Sequence, residues 1–167
     1  MRIIPQTIFA RYPSRHDFEV MLVAKGYSCR PAGGSGGSIL IAVNRNLVWK
    51  IADDPATAEF ADLMSGRRTY PALPRVFAAS PKNSAYGIVA MEKLVAFPFD
   101  DDWDRWYYKD YVAHAGAPTS DPFNAASTLV LLRSQAAARE VGLDTKAQNV
   151  MLRRRWPAQA VLFDPFF

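Results

Sequence analysis

"GLDTKAQNVMLRRRWPAQAVLFDPFF", Gly142–Phe167, is the stretch on which the reading of this chain turns. Two apolar runs, Val150-Met151-Leu152 and Ala160-Val161-Leu162-Phe163, flank the turn residues Trp156-Pro157-Ala158-Gln159, which is a hairpin pattern. Three oxygen-bearing side chains surround it. Asp144 and Asn149 stand five positions apart, between a helix and a strand. A loop held at both ends is a place where a reacting group can be fixed rigidly. Antiparallel strands bring Asn149 and Asp164 to the same end of the hairpin. Paired Asn and Asp oxygens suit a hard cation such as Mg2+, which keeps several waters and borrows phosphate oxygens. Asp144 is then left to act as a base.

Outward from there, "PFNAASTLVLLRSQAAAREVG" predicts a long Ala- and Leu-rich helix stopped by Gly142, and "DDDWDRWYYKDYVAHAG" predicts another with acidic residues at its positive end. "PRVFAAS" and "AYGIVAMEKL" predict two strands. "DDPATAEFADLMSG" predicts a short helix capped by Asp54, with Pro55 first and Gly66 as its stop. Ile39–Val43 and Leu47–Ile51, joined by Asn44-Arg45-Asn46, predict a hairpin, and Tyr27–Arg30 is a candidate preceding strand. The glycine segment "GGSGGS" lies between that strand and the hairpin. "SRHDFEVMLVAKG" predicts a helix with a Ser14–Asp17 capping box and Gly26 as its stop. The order implies an α+β architecture in two parts, residues 1–96 and 97–167, with the junction near "VAFPFDD".

Composition narrows the classes. The chain has 167 residues, half of them apolar, which is globular rather than disordered. A net charge of +4 permits an anionic ligand without announcing nucleic acid. Arg153-Arg154-Arg155 beside the turn is expected to be a solvated face. Cys29 is the single cysteine, so no internal disulfide can form. No apolar run has membrane length, and Pro5 and Gln6 break the N-terminal apolar patch, so a cytoplasmic protein is expected. His16 and His114 lack spaced partners, and zinc is not expected.

"DTKAQNVML" resembles the catalytic loop of protein kinases, in which Asp is followed five positions later by Asn. "FDPF" resembles the metal-binding Asp of the following strand, and "LVWKI" the strand that carries the phosphate-contacting Lys. The wording is especially similar to small kinase-like Ser/Thr proteins of bacteriophages. The resemblance implies ATP and Mg2+ as cofactors, held between an antiparallel-sheet N-lobe and a helical C-lobe. It implies Asp144 as catalytic base, Lys146 near the transferred phosphate, Lys50 on the phosphates and Glu59 as its ion-pair partner. Asn149 and Asp164 would be the magnesium ligands. Backbone N–H groups of Gly34, Ser35, Gly36, Gly37 and Ser38 would cover the phosphates.

The pattern departs from the family in places. Gly142-Leu143 replaces the His-Arg that precedes the catalytic Asp, and "GGSGGS" fits no register of G-x-G-x-x-G. The sequence given stops three residues after Asp164, so a truncated C-lobe is expected. Two function classes follow. One is a phosphotransferase acting on a host protein in the host cytoplasm. The other is a pseudokinase that grips a host or self protein, with or without nucleotide. A third alternative is a homodimer in which a second chain covers the surface that the expected missing helices would cover. Phe166 and Phe167 are expected either to pack internally or to form such a contact.

Overall fold

A computed structural model describes residues 1–31, 37–41, 45–65, 72–96, 126–144, 149–153, 159–162 and 166. Six strands form one sheet: β1 (Arg2–Ile3), β2 (Ser28–Pro31), β3 (Gly37–Ile41), β4 (Leu47–Ala52), β5 (Val76–Ala79) and β6 (Gly87–Glu92). Their order is β1-β5-β6-β4-β3-β2, and every pairing is antiparallel except β1 with β5. Three helices accompany this sheet, α1 (Gln6–Arg11), α2 (Arg15–Ala24) and α3 (Pro55–Ser65). A second sheet, in the order β7-β8-β9, is built from β7 (Val95–Ala96), β8 (Val150–Arg153) and β9 (Gln159–Leu162), with helix α4 (Ala126–Arg139) between β7 and β8 in sequence. The protein is thus mixed α/β with a sheet-rich N-terminal region. Its contacts define two units: Met1–Arg68 with Arg75–Lys93 and Phe167, and Thr69–Pro74 with Leu94–Phe166.

Local chemistry sets the helix boundaries. Ser14 Oγ accepts the Asp17 N–H at 3.2 Å, while the Asp17 carboxylate accepts from the Ser14 N–H at 3.2 Å, closing the capping box. The Ser14 hydroxyl also donates to the Asp17 carboxylate at 2.6 Å, and this bond, followed by the one from the Ser14 N–H, favours the ionised form and holds its pKa below the ordinary value. Asp54 caps α3 by accepting the Thr57 N–H at 2.7 Å. Gly26 takes φ +86°, the left-handed conformation that ends α2. At the end of α4 that role falls to Glu140, with φ 56°, and not to Gly142. The N-terminal patch that reads as merely broken forms β1 and α1, because Pro5 is an acceptable residue just before a helix. The expected helix over Asp100–Gly116 lies outside the described residues.

Alternation along β4 separates the two faces of the large sheet. Ile51 is fully buried, with Leu40, Ile88, Phe18, Leu22, Phe9 and Ile4, in a cluster against which Trp49 packs. This face is covered by the N-terminal segment, and each large apolar side chain withdrawn there is worth about 1.5–3 kcal/mol. Tyr86 joins the cluster and donates its hydroxyl to the Tyr12 carbonyl at 2.9 Å. Burial, with a smaller contribution from the Asp17 charge, pushes the Tyr86 phenol up to about 12. Gly87 is paired with Ala52, so it belongs to the opposite face. A Cβ on Gly87 would lie 2.8 Å from Thr57 Cγ2, which shows α3 packed closely onto that second face. Among the described residues, no helix is long and apolar enough to cross a membrane.

The second unit corrects one sequence expectation, that for Arg153, and for Phe166 it agrees with internal packing, one of the two expected placements. Arg153 is no part of a solvated face: it is 8% exposed, and its Nη2 donates to the Leu73 carbonyl at 2.9 Å. Strand β8 carries it inward, and the hydrogen bond satisfies part of the buried guanidinium. Phe166 is also buried and bridges Leu143 in an isolated antiparallel pair, so it offers no apolar surface to a partner. Arg154, Arg155 and Phe167 lie outside the described residues.

Candidate functional site

Lys50 is the most informative residue of the set. It sits in β4, which is bordered by β3 on one side and β6 on the other, with Ile39 and Val89 as its register partners. It is therefore not a lysine reaching out from a sheet edge. Only 5% of its surface is exposed. Alternation puts it on the face opposite Trp49 and Ile51, the same face that Ala52, Gly87 and α3 occupy. An ammonium withdrawn from water to this degree is sustained only by anionic or strongly polar partners.

Helix α3 carries Glu59 on the same side of the sheet. The Glu59 carboxylate accepts Lys82 Nζ at 2.8 Å, with side-chain exposures of 12% for Glu59 and 56% for Lys82. Lys82 was not among the residues singled out by sequence reasoning. It stands in the segment between β5 and β6, and no spacing rule connects it to a helix residue so far away in the chain. The glycine segment occupies the connection between β2 and β3, since Pro31 pairs with Ser38. Gly37 and Ser38 already belong to β3, opposite Ala52 and Ile51 of β4. Gly34, Ser35 and Gly36 lie outside the described residues.

In the other unit, β8 and β9 pair antiparallel as the hairpin pattern predicts, with Gln159, expected in the turn, as the first residue of β9. Val150 pairs with Leu162 and Arg153 with Gln159. Asn149, half-buried, adjoins Val150, and Leu162 is two residues before Asp164 in sequence. Asp144 is half-buried and follows Leu143, which bridges Phe166. The chain at Asp144 is thereby joined to the chain just beyond Asp164. Lys146 and Asp164 themselves lie outside the described residues. Among the described residues no group of three or more His, Cys, Asp or Glu could hold a metal ion.

The arrangement defines a class: a mixed α/β protein whose largely antiparallel sheet carries a buried central-strand lysine followed directly by a helix. Against known proteins, a scan of family profiles gives no match, and a search of curated proteins gives none. Among solved structures the chain is similar to the protein kinase Rad53, residues 1–466, in complex with AMP-PNP. The identity is 13% and the TM-score 0.42, over 90% of this chain and 42% of that one. The chain therefore spans less than half the length of that structure.

Proposed function

We propose that this protein is a kinase-like phosphotransferase that uses ATP and Mg2+, with a protein hydroxyl of a host or self protein as acceptor. The observation that carries the reading is Lys50: a buried lysine on the third strand of the consecutive antiparallel run β2–β3–β4, followed at once by α3. That is the context in which kinases place the lysine that contacts the phosphates and the helix that supplies its carboxylate. The glycine segment in the β2–β3 connection supports it. There the backbone N–H groups around Gly34–Ser38 would cover the phosphates.

In this reading Lys50 holds the phosphates and Glu59 orients its ammonium. Asn149 and Asp164 would hold magnesium, which supplies charge neutralisation for the transferred group. Asp144 accepts the proton of the acceptor hydroxyl, and Lys146 lies near the transferred phosphate. Positioning and charge compensation supply most of the rate. A second reading, a pseudokinase that binds nucleotide or a protein without turnover, is favoured by Gly142-Leu143 in place of His-Arg.

Calorimetric titration of ATP with magnesium and with EDTA tests the binding half. Magnesium-dependent affinity that is lost in Lys50→Met supports it; equal affinity in both buffers counts against the metal assignment. Transfer from labelled ATP tests the chemistry. Asp144→Asn should abolish transfer while ATP affinity stays nearly intact, because the base acts in the transition state. ATP binding without transfer by the wild type selects the pseudokinase reading.

A further inference from the structure

The segment before β5 is bound to the β8–β9 hairpin by two hydrogen bonds. Strand β9 is the outer strand of its sheet, and the Leu162 N–H on it donates to the Ala72 carbonyl at 2.9 Å. From the central strand β8, Arg153 Nη2 donates to the next carbonyl, that of Leu73, at 2.9 Å. The clip is dry: Ala72 is 0% exposed, Leu73 1% and Arg153 8%. Burying a guanidinium carries a large desolvation cost, which the bond to Leu73 offsets in part. Its geometric effect is specific, since the bond sets the distance and direction at which the Leu73 carbonyl meets the guanidinium.

We propose that Arg153, opposite Gln159 at the turn end of the β8–β9 hairpin, is a positioning residue: through Leu73 it holds the Ala72-Leu73 segment along the hairpin's outer edge, and through that segment's bond to Leu162 it steadies the other end, which Asn149 and Asp164 flank in sequence. Leu162, the strand residue nearest to Asp164, is the one whose N–H the clamped segment takes. Loosening the clamp therefore frees the strand on the side of the proposed metal ligand. The functional half of this inference rests on the reading of Asn149 and Asp164 given above.

The test compares Arg153→Met, which keeps the stem and loses the donors, with Arg153→Lys, which keeps a charged donor. The first readout is amide exchange in the ligand-free protein. Arg153→Met should accelerate exchange at Leu162 by about tenfold or more relative to Lys50 and Val89 in the large sheet, and Arg153→Lys should recover most of the protection. The second readout is the ratio of ATP affinities with magnesium and with EDTA. That ratio should fall roughly tenfold in Arg153→Met and be largely restored in Arg153→Lys. Unchanged exchange at Leu162, or equal acceleration at Leu162, Lys50 and Val89, overturns the clamp. Faster exchange at Leu162 with an unchanged magnesium ratio overturns its link to the metal end. If the wild type binds no ATP, the nucleotide reading fails and takes the link to the metal end with it, while exchange at Leu162 still decides the clamp.

Discussion

Replacing Gly87 with alanine should move helix α3 off the sheet. The added Cβ would lie 2.8 Å from Thr57 Cγ2, 3.0 Å from Thr57 Cβ and 3.1 Å from the Ala58 backbone nitrogen. Ordinary contacts at such a place are several tenths of an ångström longer. Thr57 cannot swing clear: it is 1% exposed, β-branched, and close to the capping Asp54, with Oγ1 at 3.3 Å from Asp54 Oδ2. The backbone of α3 has to yield. Overpacking of this kind costs about 1–3 kcal/mol. Alanine recovers about 0.5–1 kcal/mol of that by restricting the unfolded chain. The net expectation is a loss of about 1–2 kcal/mol, or roughly 3–6 °C in Tm for a chain of this size. Urea denaturation followed by circular dichroism measures it. Thr57→Ser removes the nearest methyl and keeps the hydroxyl near Asp54. Alone it should cost about 1 kcal/mol for the lost methyl. In the Gly87→Ala background it should cost less or stabilise, giving a coupling of about 1 kcal/mol. A Gly87→Ala protein as stable as the wild type would refute the close approach of α3, as would additivity of the two substitutions within about 0.3–0.5 kcal/mol.

Other expectations follow from single residues. Glu140→Gly should stabilise the protein by about 0.5–1 kcal/mol in the same denaturation assay, because glycine adopts the left-handed φ without strain. Phe166→Ala should destabilise by roughly 3 kcal/mol through loss of a buried ring, and light scattering should show an unchanged association state. Spectroscopic titration of the tyrosines should show a phenol ionising near pH 12 whose contribution disappears in Tyr86→Phe. Since that pKa is raised on folding, the contribution of the neutral phenol is full below about pH 10 and is lost as pH climbs toward 12. The Asp17 carboxylate has the opposite sign: its pKa is depressed, so its stabilisation holds above the ordinary carboxylate range and disappears on acidification, a dependence that Ser14→Ala should flatten.

What the sequence determined by itself was local. Ser14 with Asp17, and Asp54 with Pro55, announce helix starts because a cap and its donors lie within one turn. The β3–β4 and β8–β9 hairpins are legible because alternation and turn residues are neighbours in the chain. The same locality placed Asn149 and Leu162, two residues before Asp164, at one end of a hairpin. Tertiary structure alone decided whatever joins distant segments. The parallel pairing of β1 with β5 leaves no mark in the first residues. Nothing in "RRR" distinguishes a solvated Arg153 from one bound to Leu73, 80 positions away. The Glu59–Lys82 pair and the close approach of Thr57 to Gly87 depend on how α3 lies on the sheet. Lys50 shows both parts. Its strand could be read from apolar neighbours, but its burial required the flanking strands β3 and β6, because a lysine's exposure is set by what stands beside its strand and not by the strand's own residues.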